Sequence, residues 1–311
     1  MAFARRFGFA AASALALAAL LPAWAQQPAP RAAAAARSNW NAPMAPFRII
    51  DNVYYVGTEG LSSFLFVTPE GDILLDAALP DSASQIEANI RKLGFKLSDV
   101  KILLNSHAHF DHSGGLAQIK KDTGAKLIAS EGDRSALEGG FYLGSESVKA
   151  MGAPPVKVDE AIRDGYRLTL GGFTLTAHLT PGHTRGCTSW GWTAHEGGKA
   201  YEALVFCSAT IAANRLVDPP QYEGIVADYR ATFDKAAKMK VDIFLAPHAE
   251  FYGLAAKRAK LAAGGPNPFI APGEFQTFIA QQKADFESGL KDQEAKAAAK
   301  KTGAAAPTKA N

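Results

Sequence analysis

Long apolar runs, cysteines and blocks of one charge are all scarce in this 311-residue sequence. Each scarcity removes a class of protein. The N-terminal apolar run, Phe7 to Leu21, falls short of the roughly 20 residues that a membrane-spanning helix needs. Lys and Arg number 33 against 30 Asp and Glu, and no basic block exists that could track a phosphate backbone. Nucleic acid is therefore not an expected partner. No sustained heptad or bare apolar strand argues for assembly, so a monomer is expected. What remains is ordinary: 48% hydrophobic and 20% charged residues, the composition of a soluble globular protein. A chain of this length buries a full core without structural staples.

The first residues suggest a compartment. Arg5 and Arg6 precede the apolar run, and Pro22-Ala23-Trp24-Ala25 closes it. This charged, apolar, A-x-A order predicts a signal peptide over residues 1–25 and a periplasmic location, with no stable membrane association after cleavage. The only cysteines are Cys187 and Cys207. In an oxidising compartment they read first as one disulfide; two buried thiols, or a thiolate metal ligand, are the alternatives.

Residues 26–46 carry Pro, Ala and Gln without periodicity and read as an extended arm, followed by one domain over 47–296 and a low-complexity Ala/Lys tail over 297–311. A strand is expected over Phe47–Val56, then a hairpin of Ser62–Val67 and Asp72–Asp76. Ile86, Ile90 and Leu93 repeat at helical spacing. Lys101–Leu104 reads as a buried strand. A helix near Gly115–Lys121, a strand at Lys126–Ala129 and a helix after Ser130 follow. Residues 138–155, rich in Gly, Ser and Pro, read as a long mobile loop, with Phe141, Tyr142 and Leu143 as candidates to cover a substrate. Strands recur at Tyr166–Leu170, Phe173–His178, Thr188–Trp192 and Leu204–Phe206. Asp228–Met239 reads as helix and Val241–Leu245 as strand. Phe275, Phe278, Ile279, Phe286 and Leu290 share one face of a C-terminal helix. The class is mixed α/β, of sandwich type.

The chemistry concentrates in Asn105-Ser106-His107-Ala108-His109-Phe110-Asp111-His112-Ser113-Gly114-Gly115, directly after an apolar strand. A helix would send His107 and His109 to nearly opposite sides, so extended or turning backbone must aim them at one ion. Asp111 and His112, adjacent in a tight turn, can aim at a second, and Gly114-Gly115 permits the turn. Neutral imidazoles with a carboxylate suit zinc. His183, in Thr180-Pro181-Gly182-His183-Thr184, and His248, in Ala246-Pro247-His248, also follow strand ends, where sheet-based sites form. His178 and His195 lack such settings and read as structural or surface residues.

HAHFDH, PGHT and the late APH, in this order from Phe47 to about Leu290, resemble the metallo-β-lactamase superfamily. The resemblance implies a four-layer αβ/βα sandwich, a single domain with a dinuclear zinc site at one edge. Serine at 208, where relatives carry a bridging aspartate or a cysteine ligand, is similar to subclass B3 metallo-β-lactamases, as is PGHTRGCTSW. Arg185 departs from the proline of many relatives and puts the local loop shape in question. Carried over, His107, His109 and His183 hold the first Zn2+ and Asp111, His112 and His248 the second, two per chain. Asp111 then orients the hydroxide that attacks the amide of a small-molecule β-lactam substrate. Ser208 and Thr210 either hydrogen-bond the substrate carboxylate or a water, or are strand-end hydroxyls. Some members pair cysteines at positions matching Cys187 and Cys207, which implies a disulfide.

Three rival readings fit the sequence less well. Ser98-Asp99-Val100-Lys101 fits S-x-x-K and Lys301-Thr302-Gly303 fits K-T-G, but the first enters a strand where it should open a helix, and the second lies in the tail. An exported lactonase or thioester hydrolase shares the fold, and the missing carboxylate at Ser208 argues against it. A non-catalytic periplasmic zinc-binding protein needs neither open coordination nor a substrate groove.

Overall fold

Strand alternation sets the layering. The computed structural model describes residues 39–303; the expected signal peptide, residues 26–38 of the expected arm and residues 304–311 lie outside the described residues. Strands β1 (Phe47–Ile50), β2 (Val53–Tyr55), β3 (Phe64–Phe66) and β4 (Asp72–Leu75) form an antiparallel meander. Asp51 turns the chain with a φ of 47°, so the single strand expected over 47–56 is a hairpin. Helix α1 (Ala83–Lys92) leads into β5 (Val100–Leu104), parallel to β4. The one-turn α2 (Phe110–Ser113) and α3 (Leu116–Thr123) precede β6 (Lys126–Ser130). Helix α4 (Glu131–Gly139) precedes β7 (Glu160–Ile162), a strand too short to show alternation in the sequence. The seven strands stand in sequence order, the last pairs parallel.

Phe64, Phe66, Ile73 and Leu75 enter one apolar cluster, whereas Leu65 and Leu74 enter another with Ile86, Ile90, Leu116 and Ile119 of the helices. Successive side chains point to opposite faces, so a sheet apolar at every position is buried on both. The second sheet holds β8 (Arg167–Leu170), β9 (Phe173–Leu179), β10 (Thr188–Glu196) and β11 (Lys199–Val205). After α5 (Ile225–Ala236), β12 (Ile243–Leu245) joins parallel to β11. Gly197 and Gly198, both at positive φ, make the tight turn between β10 and β11, which are longer than expected. Trp192 packs edge-on against Phe66 across the sheets, 5.2 Å between ring centroids.

Helix α6 (Leu254–Ala262), not foreseen, and α7 (Glu274–Thr302) complete the chain. Tyr229 of α5 stacks on Phe286 of α7 at 4.7 Å, and Phe275 of α7 meets Phe206 just beyond β11 at 5.2 Å. Helices, sheet, sheet and helices make the expected αβ/βα sandwich. Helix α7 buries Phe275, Ile279, Phe286 and Leu290, the expected face. It runs past residue 297, where a frayed tail was expected, because Ala and Lys are strong helix formers. Among the described residues no helix is long and apolar enough to cross a membrane.

Two expectations are corrected by long-range hydrogen bonds. The segment 140–148 is pinned: Arg215 Nη2 donates to Gly144 O at 2.7 Å, and Gln221 Nε2 to Leu143 O at 2.6 Å. It is therefore braced against residues some 70 positions away, which composition cannot reveal. The described end of the arm is also held, with Thr58 Oγ1 donating to Trp40 O and Asn89 Nδ2 to Met44 O at 3.1 Å.

Candidate metal centre

Four loops converge past the strand ends. β5 continues through Asn105 and Ser106 into non-helical backbone at His107–His109, with His109 extended at a φ of −87° and a ψ of 147°. The His109 carbonyl then accepts from Ser113 N at 2.8 Å and Ser113 Oγ at 2.9 Å. Asp111 and His112 therefore sit in a helical turn, not the tight turn expected. β9 leads to His183, β11 to Ser208 and Thr210, and β12 to His248.

The side chains form two groups. One ligand atom each from His107, His109 and His183 lie within 4.8 Å of one another, and the same holds for Asp111, His112 and His248. In the second group the geometry is tight. His112 Nε2 lies 3.2 Å from His248 Nε2, and Asp111 Oδ2 lies 3.4 and 3.5 Å from those nitrogens. A tetrahedral ion with bonds of about 2.0–2.1 Å sets its ligands about 3.3–3.4 Å apart. The triangle matches one face of such a site. His107 and His112 adjoin, 4.4 Å between ring centroids, so the two groups share one edge.

The remaining ring atoms are fixed from behind. His183 Nδ1 donates to Thr210 O at 2.7 Å, and His107 Nδ1 meets Ser106 Oγ at 3.0 Å, which leaves each Nε2 to face the cluster. His107 Nε2 is buried without a hydrogen-bond partner among the described residues. A buried unpartnered nitrogen is costly, and a cation relieves that cost. The donor set and these orphaned atoms fit a divalent metal.

Burial depresses the imidazoles of His107 and His109 far below the ordinary histidine range, aided by neighbouring histidines. It pushes His183 down to about 4 and His248 to about 3. Neutral imidazole is the coordinating form. For Asp111 burial acts upward, but His112, His109 and His248 outweigh it and hold the carboxyl ionised.

Cys187 and Cys207 form a disulfide, Cα atoms 5.8 Å apart, and no free cysteine remains among the described residues. The Cys207 sulfur lies 3.6 Å from His107 Nδ1, so the bridge underlies the site instead of ligating it. Ser208 is buried, its Oγ 3.3 Å from Thr210 Oγ1 and accepting from Thr210 N at 3.3 Å. The half-buried Thr210 places Oγ1 3.2 Å from His183 Nδ1. Thr210 thus backs His183 directly, and Ser208 meets it only through Thr210. His195 is exposed, 3.7 Å from Asp51, and His178 lies apart from the clusters, on β9.

Other neighbours lie outside the sequence reading or change role. Tyr142 does not cover the site: it is buried, stacked on His109 at 4.4 Å and 13°, and donates to Asn214 Oδ1 at 2.7 Å. Asn214 Nδ2 in turn donates to His183 O at 2.9 Å. Trp40 and Phe251 flank His248 at 5.2 and 5.1 Å. No local pattern marks Asn214 or Trp40, since their partners lie far away in sequence, whereas Phe251 stands three residues after His248. Arg185 stands 5.6 Å over the Tyr222 ring, which settles the loop shape at that departure.

Two groups of candidate metal ligands on loops at one edge of an αβ/βα sandwich are the arrangement of a metal-dependent hydrolase superfamily. A family model for the metallo-beta-lactamase superfamily matches residues 56–193. A subclass B3 metallo-β-lactamase of Bradyrhizobium japonicum is 53% identical, with a TM-score of 0.82 over 84% of this chain and 98% of that one. The native metallo-β-lactamase from Legionella gormanii is 43% identical, with a TM-score of 0.78 over 82% of this chain and 98% of its own. The chain belongs to the metallo-β-lactamase superfamily. Among curated proteins it resembles a hydroxyacylglutathione hydrolase of Rhodospirillum rubrum, 28% identical over 132 residues, 42% of this chain and 41% of that protein. The chain thus spans less than half the length of that relative.

Proposed function

We propose that the protein is a monomeric periplasmic β-lactamase of the subclass B3 kind, which uses two zinc ions to hydrolyse the amide bond of β-lactam antibiotics. One observation carries the choice of substrate: the segment after β11 presents Ser208, which reaches His183 only through Thr210, and offers neither a carboxylate nor a free thiolate, because Cys207 is held in the disulfide. The likeness to a subclass B3 enzyme over nearly its whole length supports the same reading. Residues 1–25 supply the export signal.

His107, His109 and His183 would hold one ion through neutral nitrogens. Asp111, His112 and His248 would hold the other. Zinc, when bound, polarises the carbonyl and makes a nucleophilic water accessible near neutral pH. Asp111, buried and held ionised by the neighbouring histidines, would accept a hydrogen bond from an attacking water and orient it. Thr210 offers the more accessible of the two strand-end hydroxyls to a substrate carboxylate. Trp40 and Phe251 give the apolar wall beside His248.

The test is hydrolysis of a penicillin, a cephalosporin and a carbapenem by the purified mature protein, with and without a chelator. Chelator-sensitive cleavage is expected, and His183→Ala should lose one zinc and most of the turnover. No cleavage by zinc-loaded protein would refute the proposal and favour the second reading, an exported lactonase or thioester hydrolase, which the hydroxyacylglutathione hydrolase likeness supports. Bound zinc with no turnover on lactones and thioesters either would favour a zinc-binding protein.

A further inference from the structure

We infer that Asp133 is a positioning residue that bolts together the two loops carrying the three-histidine group; the inference rests on the reading of His107, His109 and His183 as metal ligands. Asp133 lies near the start of α4, on neither loop, and is buried. Its Oδ2 accepts from Ala108 N at 3.0 Å and Thr184 Oγ1 at 2.8 Å, and its Oδ1 accepts from Gly186 N at 2.8 Å. Ala108 stands between His107 and His109, and Thr184 directly follows His183. One carboxylate thus spans two loops that leave strands of different sheets, β5 of the first and β9 of the second.

The packing around it admits no looser arrangement. A Cβ on Gly186 would fall 2.0 Å from Ser130 Oγ and 2.7 Å from Asp133 Cγ, so only glycine lets the second loop approach this closely. Ser130 Oγ adds a bond of 2.6 Å to Gly186 O. Three donors converge on the carboxylate, and an aspartate accepts all three without carrying a proton of its own. An asparagine cannot: whichever way its amide turns, its NH2 faces a backbone N–H donor, Ala108 on one side or Gly186 on the other. The geometry of His107 and His109 relative to His183 therefore depends on a residue that touches none of them. Outer partners of this kind orient the ligands and tune affinity for the metal.

The experiment titrates zinc-depleted full-length protein with Zn2+ against a chromophoric chelator, and with Co2+ followed by its visible spectrum, for wild type, Asp133→Asn and Thr184→Val. Asp133→Asn should weaken one of the two sites by about 10- to 100-fold and alter its cobalt spectrum, leaving the other near its wild-type affinity. Thr184→Val removes one donor and keeps both backbone bonds, so it should shift the same site by a smaller factor. It decides the matter if Asp133→Asn does not fold. A general structural role would instead lower thermal stability and weaken both sites in proportion, and that result would overturn the inference. So would unchanged affinities and spectra in the folded variants. Wild-type protein that binds no metal would overturn the metal reading and this inference together, which separates the two failures.

Discussion

Removing the disulfide tests both stability and the ligand assignment. Cys187 and Cys207 are fully buried and 20 residues apart in sequence. Chain-entropy arithmetic for a loop of this size gives a stabilisation of about 3 kcal/mol, because the crosslink restricts the unfolded chain. Cys187→Ala with Cys207→Ala should therefore lower the unfolding free energy of the metal-free protein by about 3 kcal/mol. For a domain of this size that is a fall of roughly 6–12 °C in Tm. Urea unfolding in the presence of chelator measures the first, and a calorimetric scan the second. Metal content, measured by atomic emission after zinc loading, should stay at the wild-type value. The alternative is concrete: one ligand atom each from His107, Cys187 and Cys207 also lie within 4.8 Å of one another. If the double variant loses a zinc while its unfolding free energy falls by less than about 1 kcal/mol, the sulfurs serve as ligands and the structural assignment fails.

Other residues give independent tests. Burial pushes the Asp72 carboxyl up to about 6 from its ordinary 3.8, against a backbone hydrogen bond from Thr68. The folded state thus favours the protonated form, and this contribution to stability is present below pH 3.8 and lost as pH rises through about 6. Asp72→Asn should accordingly gain stability over wild type between pH 4 and 7 and match it near pH 3.5; parallel Tm profiles for the two proteins would contradict this. Gly114→Ala should cost at least about 1–3 kcal/mol in urea unfolding, since its Cβ would fall 2.4 Å from Phe110 O and 2.5 Å from Pro80 N. A change within about 0.5 kcal/mol would show that α2 shifts freely. Tyr142→Phe should cost about 1 kcal/mol by stripping Asn214 Oδ1 of its donor, and a neutral result would deny Tyr142 its bracing role.

The predicted cost at Gly114 revises why glycine stands there. Gly114 has an ordinary helical φ of −56°, so conformational freedom is not the reason. The residue is small because Pro80 and the Phe110 carbonyl press against it. Likewise, composition suggested a mobile segment at 138–155, yet Arg215 and Gln221 pin its first half.

Local pattern was enough for the features that depend on neighbours in sequence. The apolar runs at Phe64–Phe66 and Ile73–Leu75 either side of a turn, the helical spacing of Ile86 and Ile90, and the crowding of three histidines and an aspartate into His107–His112 each lie within a few residues of sequence. The positions of His183 and His248 past strand ends were equally readable, since a turn after a strand is a local event. Only the tertiary structure decided which atoms meet: the 3.2–3.5 Å triangle of Asp111, His112 and His248, the stacking of Tyr142 on His109, and the three donors on Asp133. Apart from the adjacent Asp111 and His112, those contacts join residues 25 to 137 positions apart. Loop closure over such distances is governed by the packing of two whole sheets, and no window of sequence contains it.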